Sequence, residues 1–378
     1  LQANQPAHKF FPQLEGLRAM AIASVIAFHW VPAGPGWSYW LDWAGSLGVI
    51  YFYVLSGFLI GNILLREKDK LDKNNEAIGS SLIIFYCRRM LRTFPAYYLL
   101  LIILLVLKFP YDFSSVSGWF FLHLSNLYFF FYNCWDGNNT LIGHFWSLAV
   151  EEQFYLLFPL LILFVPRSFL LRAIILMGLS GMTCRVILYL IHAEYFSIFT
   201  LSCFDSFAIG ALLSYVRIKE IPISLKAIKL ITLIALLLYV FLPHPSFLYF
   251  TGKTFLYRLL PSGAVLCAGL IYLTTQKEHK RNYLLENSLF VYLGKIGYGL
   301  YLYHMFIPSL AVYLLKEFGY NISSAWIFVV DVILLLTVSS VSFYLLEKPV
   351  YSLKKHFRYK ADVNEKRNDQ EVRSLTTS

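Results

Sequence analysis

Charge is scarce in this chain: Asp, Glu, Lys and Arg together make up 14% of its 378 residues, against roughly 25% in a soluble domain. A surface built wholly for water is excluded by that shortage. Cysteine is equally sparse, with Cys87, Cys134, Cys184, Cys203 and Cys267 scattered and no CxxC pair. Neither a disulfide framework nor a zinc site is indicated, and these residues read as small packing groups. No repeat of fixed period and no second globular domain stands out. The formal net charge of +10 would suggest nucleic acid in a soluble protein, but here the cations sit in short loops between apolar runs. They read as orientation signals, and no nucleic-acid partner is expected.

What the chain has instead is apolar length, with 58% hydrophobic and 18% aromatic residues. Runs long enough for a ~30 Å hydrocarbon core recur throughout. Ten spans are expected, near 17–33, 46–65, 90–109, 145–165, 170–191, 198–216, 226–242, 254–275, 289–314 and 325–346. Small residues follow the first run, as they would at a signal-peptide cleavage site. With so many later spans it is read as an uncleaved first helix. The loop after the second span carries Arg66, Lys68, Lys70, Lys73, Arg88, Arg89 and Arg92, which marks it as cytoplasmic and predicts that both termini are cytoplasmic. Arg167, Arg172, Arg217, Lys219, Lys226, Lys229, Lys277, Lys280, Arg281, Lys348, Lys354, Lys355 and Arg358 then fall on that same side. One aromatic stretch, residues 115–132, would reverse all later loops if it crossed. A re-entrant or interfacial segment is expected there, an eleventh span being the alternative. The fold expected is an all-α polytopic membrane bundle over 1–351, followed by a polar cytoplasmic tail at 352–378, disordered or resting on the anionic leaflet.

Ionisable side chains inside such spans are costly and need a partner or a purpose. Arg18 and His29 stand eleven residues apart in the first span, ~16 Å along a helix, one toward each face of the membrane. Glu151 and Glu152 follow Trp146 and Ser147 at the start of the fourth span, at about the depth of His29. A carboxylate beside an imidazole orients the ring and stabilises its protonated form, as general-base catalysis requires. Arg185 and Asp205, in adjacent spans, read as a structural ion pair. His304, near mid-membrane among tyrosines, either lines a channel or is hydrogen-bonded in place. Arg88, Arg89 and Arg92 at the mouth of the third span suit a phosphate-bearing ligand, although cations are required at that face in any case. Ser56-Gly57-Phe58 offers a small-residue spot for a neighbouring backbone or a slender ligand. No metal-binding pattern is present.

Seven segments, LEGLRAMAIASVIAFH, GVIYFYVLSGFLIG, RRMLRTFPAYYL, HFWSLAVEEQFYLLFPLL, FDSFAIGALLSY, GKIGYGLYLYHMFI and LLEKPVY, together resemble the acyltransferase family 3 membrane proteins, bacterial O-acyltransferases of surface and secreted glycans. The likeness covers about residues 10–351. It implies a bundle of about ten helices in the bacterial inner membrane that moves an acyl group, usually acetyl, from cytoplasmic acyl-CoA to a carbohydrate hydroxyl. The family's Arg-x10-His motif falls on Arg18 and His29, its arginine pair on Arg88 and Arg89 with Arg92 close by, and its Trp-Ser-Leu-x-x-Glu element on Trp146, Ser147 and Glu151. Glu151 is thereby favoured over Glu152. Gly297-Tyr298 stands where many relatives have Ser-Tyr, so a hydroxyl is missing there. Larger relatives append a soluble esterase-like domain, for which this chain is expected to have no room.

On that resemblance the expected enzyme is an O-acetyltransferase with His29 and Glu151 as catalytic residues and Arg18, Arg88, Arg89 and Arg92 as the acyl-CoA site. Ser56, Trp146, Ser147, Glu152 and His304 would line the channel or the acceptor site. Acetyl-CoA is a donor substrate, and no permanently bound cofactor is expected. Transfer is direct or passes through acyl-His29. Acceptors include lipopolysaccharide O-antigen, other surface polysaccharides and lipid-linked glycans. Trp119, Phe120, Tyr128, Tyr132 and Trp135 are placed either to stack on sugars or to form an interfacial belt. The rival reading is a glycan transporter or flippase without chemistry. A glycan polymerase would call for a large outer loop, and every outer loop here is short.

Overall fold

The computed structural model describes residues 11–32, 34, 38–74, 77–109, 113–135, 139–241, 260–276, 282–317, 324–357 and 359. The tail from 360 onward, the first part of the eighth expected span, Lys277, Lys280, Arg281 and Arg358 lie outside them. Among the described residues there is no strand. The helices are α1 (Pro12–Trp30), α2 (Ser38–Asn74), α3 (Ile78–Leu107), α4 (Phe113–Phe121), α5 (Ser125–Tyr132), α6 (Asn139–Gly143), α7 (Phe145–Phe164), α8 (Arg167–Leu190), α9 (Phe204–Ile218), α10 (Leu225–Phe241), α11 (Ser262–Thr274), α12 (Ser288–Lys295), α13 (Gly297–Tyr303), α14 (Ile307–Glu317), α15 (Ser324–Ser342) and α16 (Lys348–Ser352). A π-helical turn, Phe343–Glu347, joins the last two.

Six of these are long and apolar enough to cross a membrane: α2, α3, α7 with the end of α6, α8, α9 with the 3₁₀ turn before it, and α15 with its extension. A seventh arises if α13 and α14, bent by 67°, are one span. The other three expected spans hold α1, α10 and α11, of 19, 17 and 13 residues. The molecule is thus a multi-pass helical membrane protein, with six or seven stretches among the described residues long and apolar enough to span. In α1 the apolar run is interrupted by Glu15, Arg18 and His29, and α10 and α11 flank residues 242–259, which lie outside the described ones.

Small residues decide how closely these helices approach. A Cβ on Gly57 of α2 would lie 2.1 Å from the Phe207 carbonyl oxygen of α9, and one on Gly210 of α9 would lie 2.0 Å from that of Val54. In a bilayer, where lipid tails are as apolar as leucine, such backbone contact supplies the packing that holds two helices together. The small-residue spot at Ser56-Gly57-Phe58 is therefore filled by a neighbouring helix. Phe154 of α7 stacks on Phe207 at 3.9 Å between centroids, extending the same core.

The aromatic stretch at 115–132 is not one continuous helix. It breaks between α4 and α5 at His123, a non-glycine residue at φ 54°, and the break is pinned from three sides. Tyr97 donates to the Phe120 carbonyl at 2.9 Å, Tyr98 to that of Phe121 at 3.1 Å, and Gln153 to that of His123 at 2.7 Å. Satisfying the freed carbonyls from protein lets a broken helix persist at membrane depth. Most of the aromatic set is used in packing: Phe120 is fully buried, and Trp135 stacks on Phe129 at 4.4 Å. Tyr132 remains exposed.

The basic loop ends gather at one end of the bundle. Arg167 pairs with Asp69 and Asp72, Lys219 with Asp69, and the buried Lys68 caps α7 through the Leu163 carbonyl. At the other end Trp43, near the start of α2, donates to the Tyr239 carbonyl near the end of α10.

Candidate functional site

A cavity of about 2550 Å³ opens at the basic end and runs into the bundle. Arg66, Lys70, Lys73, Lys229, Lys348 and Lys354 stand around its outer part, and Arg18, Arg89 and Arg92 deeper within it. Ser56, Glu151 and Glu152 share the same walls, with Ile22, Ser147, Leu148 and Tyr301 further in. Pockets for drug-sized ligands hold ~300–1,000 Å³, so this one admits a long, extended substrate.

Glu151 is the hub. Its carboxylate accepts hydrogen bonds from the hydroxyls of Ser56 and Tyr155 and lies 3.6 Å from an Arg89 nitrogen. The Arg89 guanidinium in turn lies over the Tyr155 ring, 3.6 Å from its centroid. Helical spacing explains the pairing, since Tyr155 is four residues after Glu151 and shares its face. Arg18 is held by Glu15, one turn earlier, at 2.7 Å. Arg92 lines the cavity as an exposed cation without an ion pair among the described residues. Tyr298 donates to the Thr93 carbonyl at 2.9 Å, and beside it a Cβ on Gly297 would meet nothing within 4 Å.

The expected site residues divide into groups. Arg18, Ser56, Arg89, Arg92, Ser147, Glu151 and Glu152 all line the cavity. Arg88 does not: its Nε donates to the Phe357 carbonyl at 2.6 Å and its guanidinium covers Tyr359. It faces the opposite way from Arg89 because adjacent helical residues diverge by ~100°. Trp146 also lies outside the lining, edge-on to Tyr53. Arg185 of α8 and Asp205 of α9 form an ion pair between those helices.

His29 is placed differently from expectation. It is absent from the cavity lining and from the partners of Glu151, so the expected His29–Glu151 pair does not form. Its ring instead lies 5.0 Å from that of His304, which lies 5.0 Å from that of His144. His304 is fully buried and is not part of the lining of this cavity. Tyr301 connects the two regions. Its hydroxyl, in the cavity wall, bonds to that of Ser147 and donates to the His144 carbonyl at 3.3 Å, while its ring lies 5.4 Å from His304.

The sequence reading passed over Tyr155, Glu15, Tyr301, His144 and His123. The first two carry a signal, spacings of four and three from Glu151 and Arg18. The others are brought in only by packing between distant helices. Among the described residues no group of three or more His, Cys, Asp or Glu side chains is placed to hold a metal ion.

Comparison with known proteins agrees with the sequence motifs. The profile of the family described as "Acyltransferase domain", acyltransferase 3, matches residues 11–345. The chain is similar to the peptidoglycan O-acetyltransferase OatA of Listeria monocytogenes, with 30% identity over 379 residues, covering 91% of this chain and 56% of that protein. It is similar also to the O-acetyltransferase OatA of Staphylococcus aureus, with 24% identity over 374 residues, 90% of this chain and 57% of that one. It spans a little over half the length of these relatives. No solved structure matches. With the profile running from the start of α1 through α15, this chain belongs to the acyltransferase 3 family.

Proposed function

We propose that this domain is a membrane O-acetyltransferase that takes acetyl from cytoplasmic acetyl-CoA and delivers it to a hydroxyl of a cell-surface carbohydrate. The observation that carries this reading is the cavity itself, in which Arg18, Arg89 and Arg92 share one space with the Glu151–Ser56–Tyr155 network. Guanidinium groups suit the phosphates of a CoA donor, and a cavity of about 2550 Å³ has room for its extended arm. The names of the relatives make peptidoglycan the first acceptor to test, ahead of lipopolysaccharide O-antigen. The positive-inside rule places the cavity mouth and both termini in the cytoplasm, in a bacterial inner membrane with ten spans in all.

In this reading His29 is the general base. The acceptor hydroxyl loses its proton to His29, its oxygen bonds to the thioester carbonyl carbon, the C–S bond breaks, and the CoA thiolate leaves and takes up a proton. The thioester comes up the cavity to the level of Ser147 and Tyr301, and the acceptor comes from the side of His29. Transfer then requires the Tyr301 hydroxyl to leave Ser147, because that pair closes the cavity wall toward the histidines.

The test is incorporation of labelled acetyl from acetyl-CoA into surface glycan by membranes containing the wild type, His29→Ala or Arg89→Ala at matched expression. Loss of labelling in His29→Ala and a raised KM for acetyl-CoA in Arg89→Ala are expected. Equal labelling in all three refutes the reading, and glycan movement independent of acetyl-CoA would establish the transporter alternative.

A further inference from the structure

Beyond the arginine cavity, the proposed chemistry leaves two buried imidazoles unused, His304 beside His29 and His144 beside His304. His304 lies between α13 and α14, where the chain bends by 67°. That break places a fully buried imidazole at the end of α1, whose Trp30 indole donates to the His304 carbonyl at 2.9 Å.

The tautomer of His304 follows from its contacts. Its Nδ1 lies 2.6 Å from the Tyr301 carbonyl oxygen, which can only accept, so Nδ1 carries the hydrogen and Nε2 bears the lone pair. Nε2 is buried and has no partner. A buried acceptor left unpaired costs free energy unless something uses it. Two imidazoles lie 5.0 Å from the His304 ring between centroids, those of His29 and His144; His144 Nε2 donates to the Leu302 carbonyl at 3.2 Å, so its Nδ1 is itself an acceptor and only His29 can supply an N–H. Two imidazoles joined by an N–H···N bond of about 2.9 Å have centroids at about that separation, since one ring radius is added at each end. Among the described residues no hydrogen bond holds His29.

From this geometry we infer that His304 is the positioning residue of His29: its Nε2 takes the N–H of one His29 nitrogen and leaves the other as the free base. This inference rests on the reading of His29 given above and supplies the partner that Glu151 does not. It gives the pair the logic of a base held in one tautomer by a third group, here a neutral imidazole fixed by a backbone carbonyl. When His29 takes the acceptor proton, the bond to His304 is kept, now donated by an imidazolium. His144, 5.0 Å from His304 on the other side, confines the ring.

Two variants separate this role from packing. His304→Leu fills the space and removes the acceptor, whereas His304→Gln restores an acceptor oxygen near Nε2. In membranes supplied with acetyl-CoA, His304→Leu is expected to lower the transfer rate at saturating donor by about tenfold to a hundredfold, less than the roughly 10²–10⁴-fold that loss of a general base itself costs. KM for acetyl-CoA should not change, because the donor arginines are not touched. His304→Gln should recover at least part of the loss, and adding His304→Leu to His29→Ala should cost nothing further. The second readout needs no catalysis: carbethoxylation of His29 by diethyl pyrocarbonate, followed by peptide mass spectrometry, should slow severalfold in His304→Leu and recover in His304→Gln. Unchanged carbethoxylation in both variants, or equal loss of transfer in Leu and Gln, overturns the pairing. Full acetyl transfer by His29→Ala overturns the reading of His29 as the base while the carbethoxylation result still decides the pairing.

Discussion

Replacing Glu151 with glutamine tests the hub of the cavity with the least change of shape. The side chain keeps its volume and one acceptor oxygen and loses only its charge. In the native protein that charge receives hydrogen bonds from Ser56 and Tyr155 and faces Arg89 at 3.6 Å. A hydrogen bond to a charged group contributes about 1.5–3 kcal/mol, and a neutral one about 0.5–1.5. The two bonds together therefore weaken by about 2–3 kcal/mol, and loss of the partly exposed ion pair adds up to about 1. A total near 3 kcal/mol corresponds to roughly a hundredfold at 1.4 kcal/mol per decade. Because the network holds Arg89 against Tyr155, the loss should be seen in kcat/KM for acetyl-CoA, measured as acetyl incorporation by membranes at matched expression. Arg89→Gln combined with Glu151→Gln should be less harmful than the product of the two single effects, since each single variant already breaks the same pair. A Glu151→Gln protein within about threefold of wild type would show that the network is packing and refute the role given to it.

Three further outcomes follow from the same geometry. Gly57→Ala should lower the detergent melting temperature and the activity together, since its Cβ would sit 2.1 Å from the Phe207 carbonyl oxygen and overpacking of this kind costs about 1–3 kcal/mol. Arg88→Ala should leave KM for acetyl-CoA within about threefold of wild type whereas Arg92→Ala raises it, because only Arg92 lines the cavity; saturation curves for the two variants decide this. Arg185→Ala should destabilise the protein by about 3–5 kcal/mol by stranding the buried Asp205, read as a fall in the solubilised melting transition, with Asp205→Asn the milder change.

The motifs brought much of the cavity within reach of the sequence. Arg18, Arg89 and Glu151 are identifiable because charge in an apolar run is expensive and therefore conspicuous. Glu15 and Tyr155 were legible too, at spacings of three and four, had the neighbours on each helix face been followed. Arg88 misled because two adjacent arginines look equivalent in a string and point ~100° apart on a helix. The aromatic stretch at 115–132 resisted a spanning assignment on charge grounds alone, and the structure shows a break in it, a left-handed His123 whose carbonyl and those of Phe120 and Phe121 are capped by a glutamine and two tyrosines.

His29 shows where linear reasoning ended. Depth along a helix placed it level with Glu151, but depth does not fix rotation about the helix axis or the order of neighbours around the bundle. By itself the sequence determined the membrane class, the basic end and the residue types of the cavity, because hydropathy and charge act locally. Only the tertiary structure decided that Glu151 belongs to Ser56, Tyr155 and Arg89, and that His29 lies against His304, 275 residues away in the chain. That contact comes from the bend between α13 and α14 and the packing of α1 beside it, which no local pattern encodes.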